Sequence, residues 1–181
     1  MARKNNPKKQ DQGKVDAKQQ SKEPARKEPA KPILDQKLKE KADGKVRKDD
    51  WIRASMMMEV LAITEQAARS ALEKHIDSLG KLNSVMLYKR DVGEAIRVEN
   101  PLPGRPHITE AYSIVAEVEC AVQRYEDLFS IVMNFGPSSI EILEPTRLGI
   151  DIGEAQGILN SLADLIHKFV AAGVGGIVIK T

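Results

Sequence analysis

The chain has 181 residues, an apolar fraction of 41% and a formal net charge of +2, a size and composition that fit one domain with an unpacked appendage. The near-neutral total hides opposite parts: residues 1–50 hold 16 Lys plus Arg against 9 Asp plus Glu, and residues 51–181 hold 12 against 17. No apolar stretch reaches the roughly 18–20 residues that span a bilayer, the N-terminus lacks the apolar run of a signal peptide, and the single Cys120 excludes an internal disulfide, so a cytoplasmic chain without a membrane partner is expected.

Residues 1–50 read as a disordered Lys-rich arm. Met1 to Lys31 is built largely from Lys, Gln, Asn, Asp, Glu, Ala and Pro, a composition that cannot bury enough apolar surface to offset the entropy of ordering. A short helix over 33–42 is conceivable within it, with Leu34 and Leu38 one turn apart and Gly44 as a stop, but its length leaves it unstable alone and free to fray. The folded domain is expected over 51–181.

Met56 to Ile63 has Glu59 as its one charge and predicts a central strand buried on both faces. Thr64 is placed to cap a helix over 65–79 that carries Ala68, Leu72, Ile76 and Leu79 on one stripe and ends at Gly80. Ser84 to Arg90 predicts a second strand. The Gly and Pro residues between Asp91 and Glu110 predict a long exposed connection, with a strand extension near Ile96 and Val98.

Ala111 to Val122 alternates cleanly, with Tyr112, Ile114, Ala116, Val118 and Cys120 inside and Ser113, Glu117 and Glu119 outside. Arg124 to Phe135 predicts a helix with Tyr125, Leu128, Phe129 and Val132 inward, stopped by Gly136 and Pro137. Ser139 to Glu144 predicts a fourth strand. Asp151 and Glu154 have capping-box spacing and start the longest helix, to about Ala172, with Ala155, Leu159, Leu162, Ile166, Phe169 and Val170 on its apolar side. Gly176 to Lys180 predicts a short last strand.

This order gives an α+β domain of ferredoxin-like (βαββαβ) type, with two helices on one face of an antiparallel sheet and an extra long C-terminal helix. The run Leu128 to Pro137, followed by Ile140, Glu141, Ile142, Leu143, Glu144 and Pro145, resembles the C-terminal extension domain found after WYL domains, where a helix leads through a Phe-Gly turn into a strand. That resemblance covers residues 125–145 and implies a ferredoxin-like fold, without the WYL domain itself. The overall style, a basic arm on an acidic domain, also resembles small archaeal protein families.

The residues assemble no catalytic set. His75, His107 and His167 lack metal-ligand spacing, so no metal or cofactor is expected, and Glu117 with Glu119 reads as a water-facing strand rather than a carboxylate pair. Cys120 reads as a small buried hydrophobe.

The arm carries the strongest signal, since each Lys or Arg set on a phosphate releases counterions without a fixed structure. Its nucleic-acid-binding candidates are Arg3, Lys4, Lys8, Lys9, Arg26 and Lys27, with Lys45, Arg47 and Lys48 nearer the domain; Lys89, Arg90, Arg97 and Arg105 are candidates for a further patch. The arm has no aromatic residue for stacking on bases, so contact with RNA or DNA would be sequence-independent.

The expectation is a non-enzymatic adaptor whose arm holds nucleic acid or a ribonucleoprotein and whose domain holds a protein partner or self-associates. The alternative is a small-molecule-sensing regulatory domain acting as a dimer, with a ligand loop at Phe135, Gly136, Pro137, Ser138 and Ser139.

Overall fold

The computed structural model of the protein describes Met1 and residues 32–101, 104–105 and 107–173. Its elements in chain order are β1 (Ile33–Leu34), α1 (Gln36–Lys48), β2 (Ile52–Ala62), α2 (Glu65–Gly80), β3 (Val85–Val92), β4 (Ile96–Glu99), β5 (Glu110–Val122), α3 (Tyr125–Phe135), β6 (Ser139–Glu144) and α4 (Ile152–Ala171). The strands form one antiparallel sheet in the order β1-β3-β5-β2-β6. β4 continues the lane of β3, pairing with residues 110–113 of β5 while β3 pairs with residues 116–122. The final strand expected at Gly176 to Lys180 lies outside the described residues.

Period-two alternation builds the core. Ile52, Ala54, Met56 and Met58 of β2 and Ile114, Ala116, Val118, Cys120 and Val122 of β5 point to one face, and all are buried. Onto that face α2 lays Ala68, Leu72, Ile76 and Leu79, and α3 adds Leu128 and Ile131. Each large aliphatic member of this core removed from water, such as Leu72 or Ile76, contributes about 1.5–3 kcal/mol.

Local chemistry starts and stops the helices. Thr64 Oγ1 accepts from the Ala67 N–H at 3.2 Å, and Asp151 Oδ1 accepts from the Glu154 N–H at 2.7 Å, each filling one orphan donor of a first turn. α3 has Arg124 at its cap position, with no side-chain acceptor. The missing acceptor comes from α4: the Glu154 carboxylate accepts from the Glu126 N–H at 3.0 Å. The capping-box spacing of Asp151 and Glu154 is therefore used by two helices at once. At its other end α3 closes on Gly136, whose φ of 54° is left-handed and suits glycine.

Three expectations are corrected, for the start of the body, for Gly44 and for the faces of β2. The folded body begins near Ile33, not at 51, because α1 runs from Gln36 through Gly44 to Lys48 and buries Ala42 against Trp51, Tyr88 and Ala121. Asp35 caps it, accepting from the Leu38 N–H at 2.9 Å, and Ile33 and Leu34 pair with Arg90 and Lys89 on the edge of β3. Gly44 does not end the helix, since packing of Leu38, Ala42 and Val46 outweighs its roughly 1 kcal/mol propensity cost.

Strand β2 is buried on one face only: Arg53, Ser55 and Met57 are half-buried and Glu59 is exposed on the other. α1 covers just the β3 and β5 side of that face, so the rest of it is polar.

Candidate functional site

The apolar side of α1, Leu38, Ala42 and Val46, turns toward the sheet. Helical geometry then sends Lys37, Glu40, Lys41, Arg47 and Lys48 outward, and all five are exposed. The outer ridge thus carries four cations and one carboxylate along a helix of 13 residues, about 20 Å long. The helix's ion pairs use other residues: Lys45 meets Asp49 at 2.7 Å and lies 5.6 Å from the Trp51 ring centre, and Asp43 meets Arg53.

Of the candidate nucleic-acid residues, Arg47 and Lys48 stand on this ridge, Lys45 is engaged by Asp49 and Trp51, and Arg3, Lys4, Lys8, Lys9, Arg26 and Lys27 lie outside the described residues. Lys37 and Lys41 belong to the ridge and were missed. The signal that finds them is the spacing of Leu38, Ala42 and Val46, which marks the opposite side of the helix.

Beside α1, the half-covered sheet face holds a chain of charges. Arg53 donates to Asp43 at 2.5 Å and to the Tyr88 hydroxyl at 3.0 Å, and the hydroxyl donates to Glu119 at 3.4 Å. Lys89 reaches Glu119 at 2.5 Å and Glu117 at 3.8 Å. Ser55 donates to Glu117 at 3.1 Å, and further along Ser113 donates to Glu59 at 2.5 Å.

The Arg53 hydrogen bond holds the Asp43 carboxyl below its usual range, against a smaller opposing effect of burial. Burial raises the Tyr88 hydroxyl despite the neighbouring guanidinium. The hydrogen bond to Glu119 raises the Lys89 ammonium. Glu117 and Glu119 are accordingly ion-pair partners of a lysine rather than merely water-facing.

The patch expected from Lys89, Arg90, Arg97 and Arg105 is largely neutralised. Lys89 is paired as above, Arg90 meets Asp77 at 2.9 Å, and Arg97 pairs with Glu110 across the β4–β5 hairpin. Strand pairing sets Lys89 opposite Glu119, while Asp77 reaches Arg90 from α2, pairings which the sequence order conceals.

The ligand loop is pinned from both sides. His75 Nε2 donates to the Phe135 carbonyl at 2.8 Å and its ring lies 5.2 Å from that of Phe135. The Ser138 N–H and hydroxyl both donate to the Met57 carbonyl, at 2.8 and 3.2 Å. His75 therefore closes the end of a neighbouring helix instead of its own. A cleft of about 380 Å³ lies elsewhere, where Ile33, Leu38, Asp77, Lys81 and Arg90 meet at the β3 edge.

Burial pushes the Cys120 thiol up to about 12, which keeps it protonated. Among the described residues no three His, Cys, Asp or Glu side chains are grouped to hold a metal ion, and no helix is long and apolar enough to cross a membrane.

One protein-family model, described as the MJ0538 family, matches residues 53–179. No curated protein and no solved structure matches the chain. The match covers β2 through α4 and begins after α1; it shows no link to WYL-domain proteins.

Proposed function

The chain belongs to the MJ0538 family, and because its basic helix α1 packs onto the family-matched body from outside the match, we propose that it is a non-enzymatic adaptor. The basic residues of 2–31 and the α1 ridge contact the phosphates of a nucleic acid or ribonucleoprotein, and the body contacts a protein partner or another copy of itself. The central strands in the order β3-β5-β2-β6, with α2 and α3 as crossovers, are read as a ferredoxin-like unit. To it β1 and α1 are added at one edge and α4 beyond the other end.

The observation that carries this reading is the outward ridge of Lys37, Lys41, Arg47 and Lys48 on a helix held by Trp51, Tyr88 and Ala121. Residues 2–31 hold 10 Lys plus Arg against 4 Asp plus Glu, so arm and ridge form one basic segment. The body's cations Arg53, Lys89, Arg90 and Arg97 are occupied by carboxylates. A polyanion would therefore be drawn to the N-terminal segment and repelled by the acidic body, which leaves the body for a different partner.

The test is binding of labelled single-stranded RNA and duplex DNA across a salt titration. The full chain is compared with a full-length variant carrying Lys37→Gln, Lys41→Gln, Arg47→Gln and Lys48→Gln. The expected result is binding that weakens steeply with salt, with the variant's slope on single strands reduced by up to about 3. No binding by the full chain near physiological salt would sink the polyanion reading.

A further inference from the structure

Helix α1 covers the second face of the sheet at its Trp51, Tyr88 and Ala121 end. Beyond it, cross-strand register fixes which side chains share that face. Ser55 stands between Glu119 and Glu141, and Met57 between Glu117 and Ser139. Glu59 and Leu61 follow on β2, Lys89 and Asp91 of β3 lie opposite Glu119 and Glu117, and Glu144 lies opposite Arg53.

Carboxylates outnumber cations here. Arg53 is already shared between Asp43 at 2.5 Å and Glu144 at 3.4 Å, and Lys89 between Glu119 and Glu117. Glu59 meets the Ser113 hydroxyl, and among the described residues no Lys or Arg comes within ion-pair distance of Glu59, Asp91 or Glu141. Met57, Leu61 and Val115 lie between these charges, a surface on which the stem of a long cationic side chain can rest.

We infer that this uncovered face is the docking surface for the chain's own basic segment, residues 2–31, whose Lys and Arg heads meet the surplus carboxylates. Charge, position and length select that occupant. Residues 2–31 hold 10 Lys plus Arg against 4 Asp plus Glu, the sign that the face lacks. Ile33 lies opposite Arg90 and Leu34 opposite Lys89 in antiparallel register. Pro32 therefore stands level with Asp91, and the segment joins the body at the rim of the acidic face.

From that rim to β6 is three inter-strand spacings, about 15 Å, a span that about five extended residues cover. A short tether holds the segment at an effective concentration near millimolar, which a basic peptide from another protein must exceed. A polyanion has the wrong sign for the face. Docking withdraws the Lys and Arg of 2–31 from phosphates, so the face and a nucleic acid compete for one segment, and salt loosens both contacts.

The test is paramagnetic broadening in the full chain, with a nitroxide attached at Ala17→Cys. Cys120 is fully buried and stays unlabelled. At low salt the amide signals of Met57, Glu59, Glu117 and Glu141 are expected to lose most of their intensity. Those of Ala68, Glu73 and Ile76 on α2, across the sheet, keep theirs. Sodium chloride at about 0.5 M, where the screening length falls to roughly 4 Å, abolishes the loss. Glu59→Gln, Glu117→Gln and Glu141→Gln together in the labelled chain restore the intensities.

Full intensity on the sheet face at low salt would overturn the inference, as would equal losses on both faces or a loss that salt leaves intact. Equal broadening of an isotope-labelled chain by a separate nitroxide-carrying chain would assign the face to the segment of a second copy and overturn it too. The salt series needs no carboxylate variant, so it decides the matter even if the triple variant does not fold. No nucleic acid is present in these samples. Failure of RNA and DNA binding with the broadening intact therefore removes the polyanion reading alone.

Discussion

Helices α2 and α4 carry apolar stripes of the same kind and meet different fates. In α2, Ala68, Leu72, Ile76 and Leu79 are all within 1% of complete burial, whereas Leu159 and Ile166 of α4 remain more than half exposed. Both helices begin on a side-chain cap. The difference lies in what stands opposite. α2 faces the apolar side of β2, β3 and β5, and among the described residues α4 packs on α3, against which it sets Gly157, Ser161, Leu165 and charged residues. Amphipathicity announces that a surface wants covering and is silent about the cover.

The largest effect that can sharpen this contrast is Leu72→Ala, which leaves a cavity under the sheet and should cost about 2–5 kcal/mol in urea unfolding. Leu159→Ala in dilute protein should cost no more than about 0.5 kcal/mol, the usual range for an exposed position. Equal costs would show that α4 is covered within the monomer.

Next in size is Arg53→Met, on the other face of the same sheet. It leaves the half-buried Asp43 carboxylate and the Tyr88 hydroxyl without their shared partner, and removal of such a donor costs roughly 1–3 kcal/mol. A neutral result would mean that methionine packing against Tyr88 replaces the network.

Cap substitutions divide the two helices further. Thr64→Ala should lower global stability by about 1 kcal/mol. Asp151→Ala should speed hydrogen exchange in α4 while leaving the global unfolding midpoint nearly unmoved, because local opening of a lightly packed element is separable from global unfolding. A matching midpoint shift for Asp151→Ala would place α4 in the same cooperative unit as α2.

The smallest effect is on pH dependence. The Asp43 carboxyl is held below its usual range by Arg53, so its contribution to stability is complete above the unfolded value near 3.9. It is lost as pH falls from there through the folded value. Asp43→Asn should flatten the acid limb of a stability-against-pH curve in that region and leave it unchanged near neutrality. An unchanged acid limb would mean that other carboxylates govern acid unfolding.

Much of this was legible in the residues. The alternation from Tyr112 to Val122, the Thr64 and Asp151 caps, the Gly136 stop and the stripe of α2 each depend on neighbours a few positions away. β6 was read correctly from Ser139 to Glu144 for the same reason. α1 was misread because its inner side is only Leu38, Ala42 and Val46, and its partners Tyr88 and Ala121 are 46 and 79 residues beyond Ala42. The outward set of Lys37 and Lys41 disappeared with it, since an outer side has meaning only once the inner side is known. The occupation of Lys89, Arg90 and Arg97 was equally hidden, because each carboxylate partner sits on another element.

The sequence by itself determined the order of strands and helices from β2 to α4, the apolar sides of β5 and α2, and the separation of a basic N-terminal segment from an acidic body, because periodicity, capping and charge are local or additive properties. Only the tertiary structure decided that α1 belongs to the body, that the second sheet face is a linked set of charges, and that no described residue buries the apolar side of α4. Those outcomes depend on which surfaces meet across many tens of residues, where packing and ion pairing outweigh the propensity of any single segment.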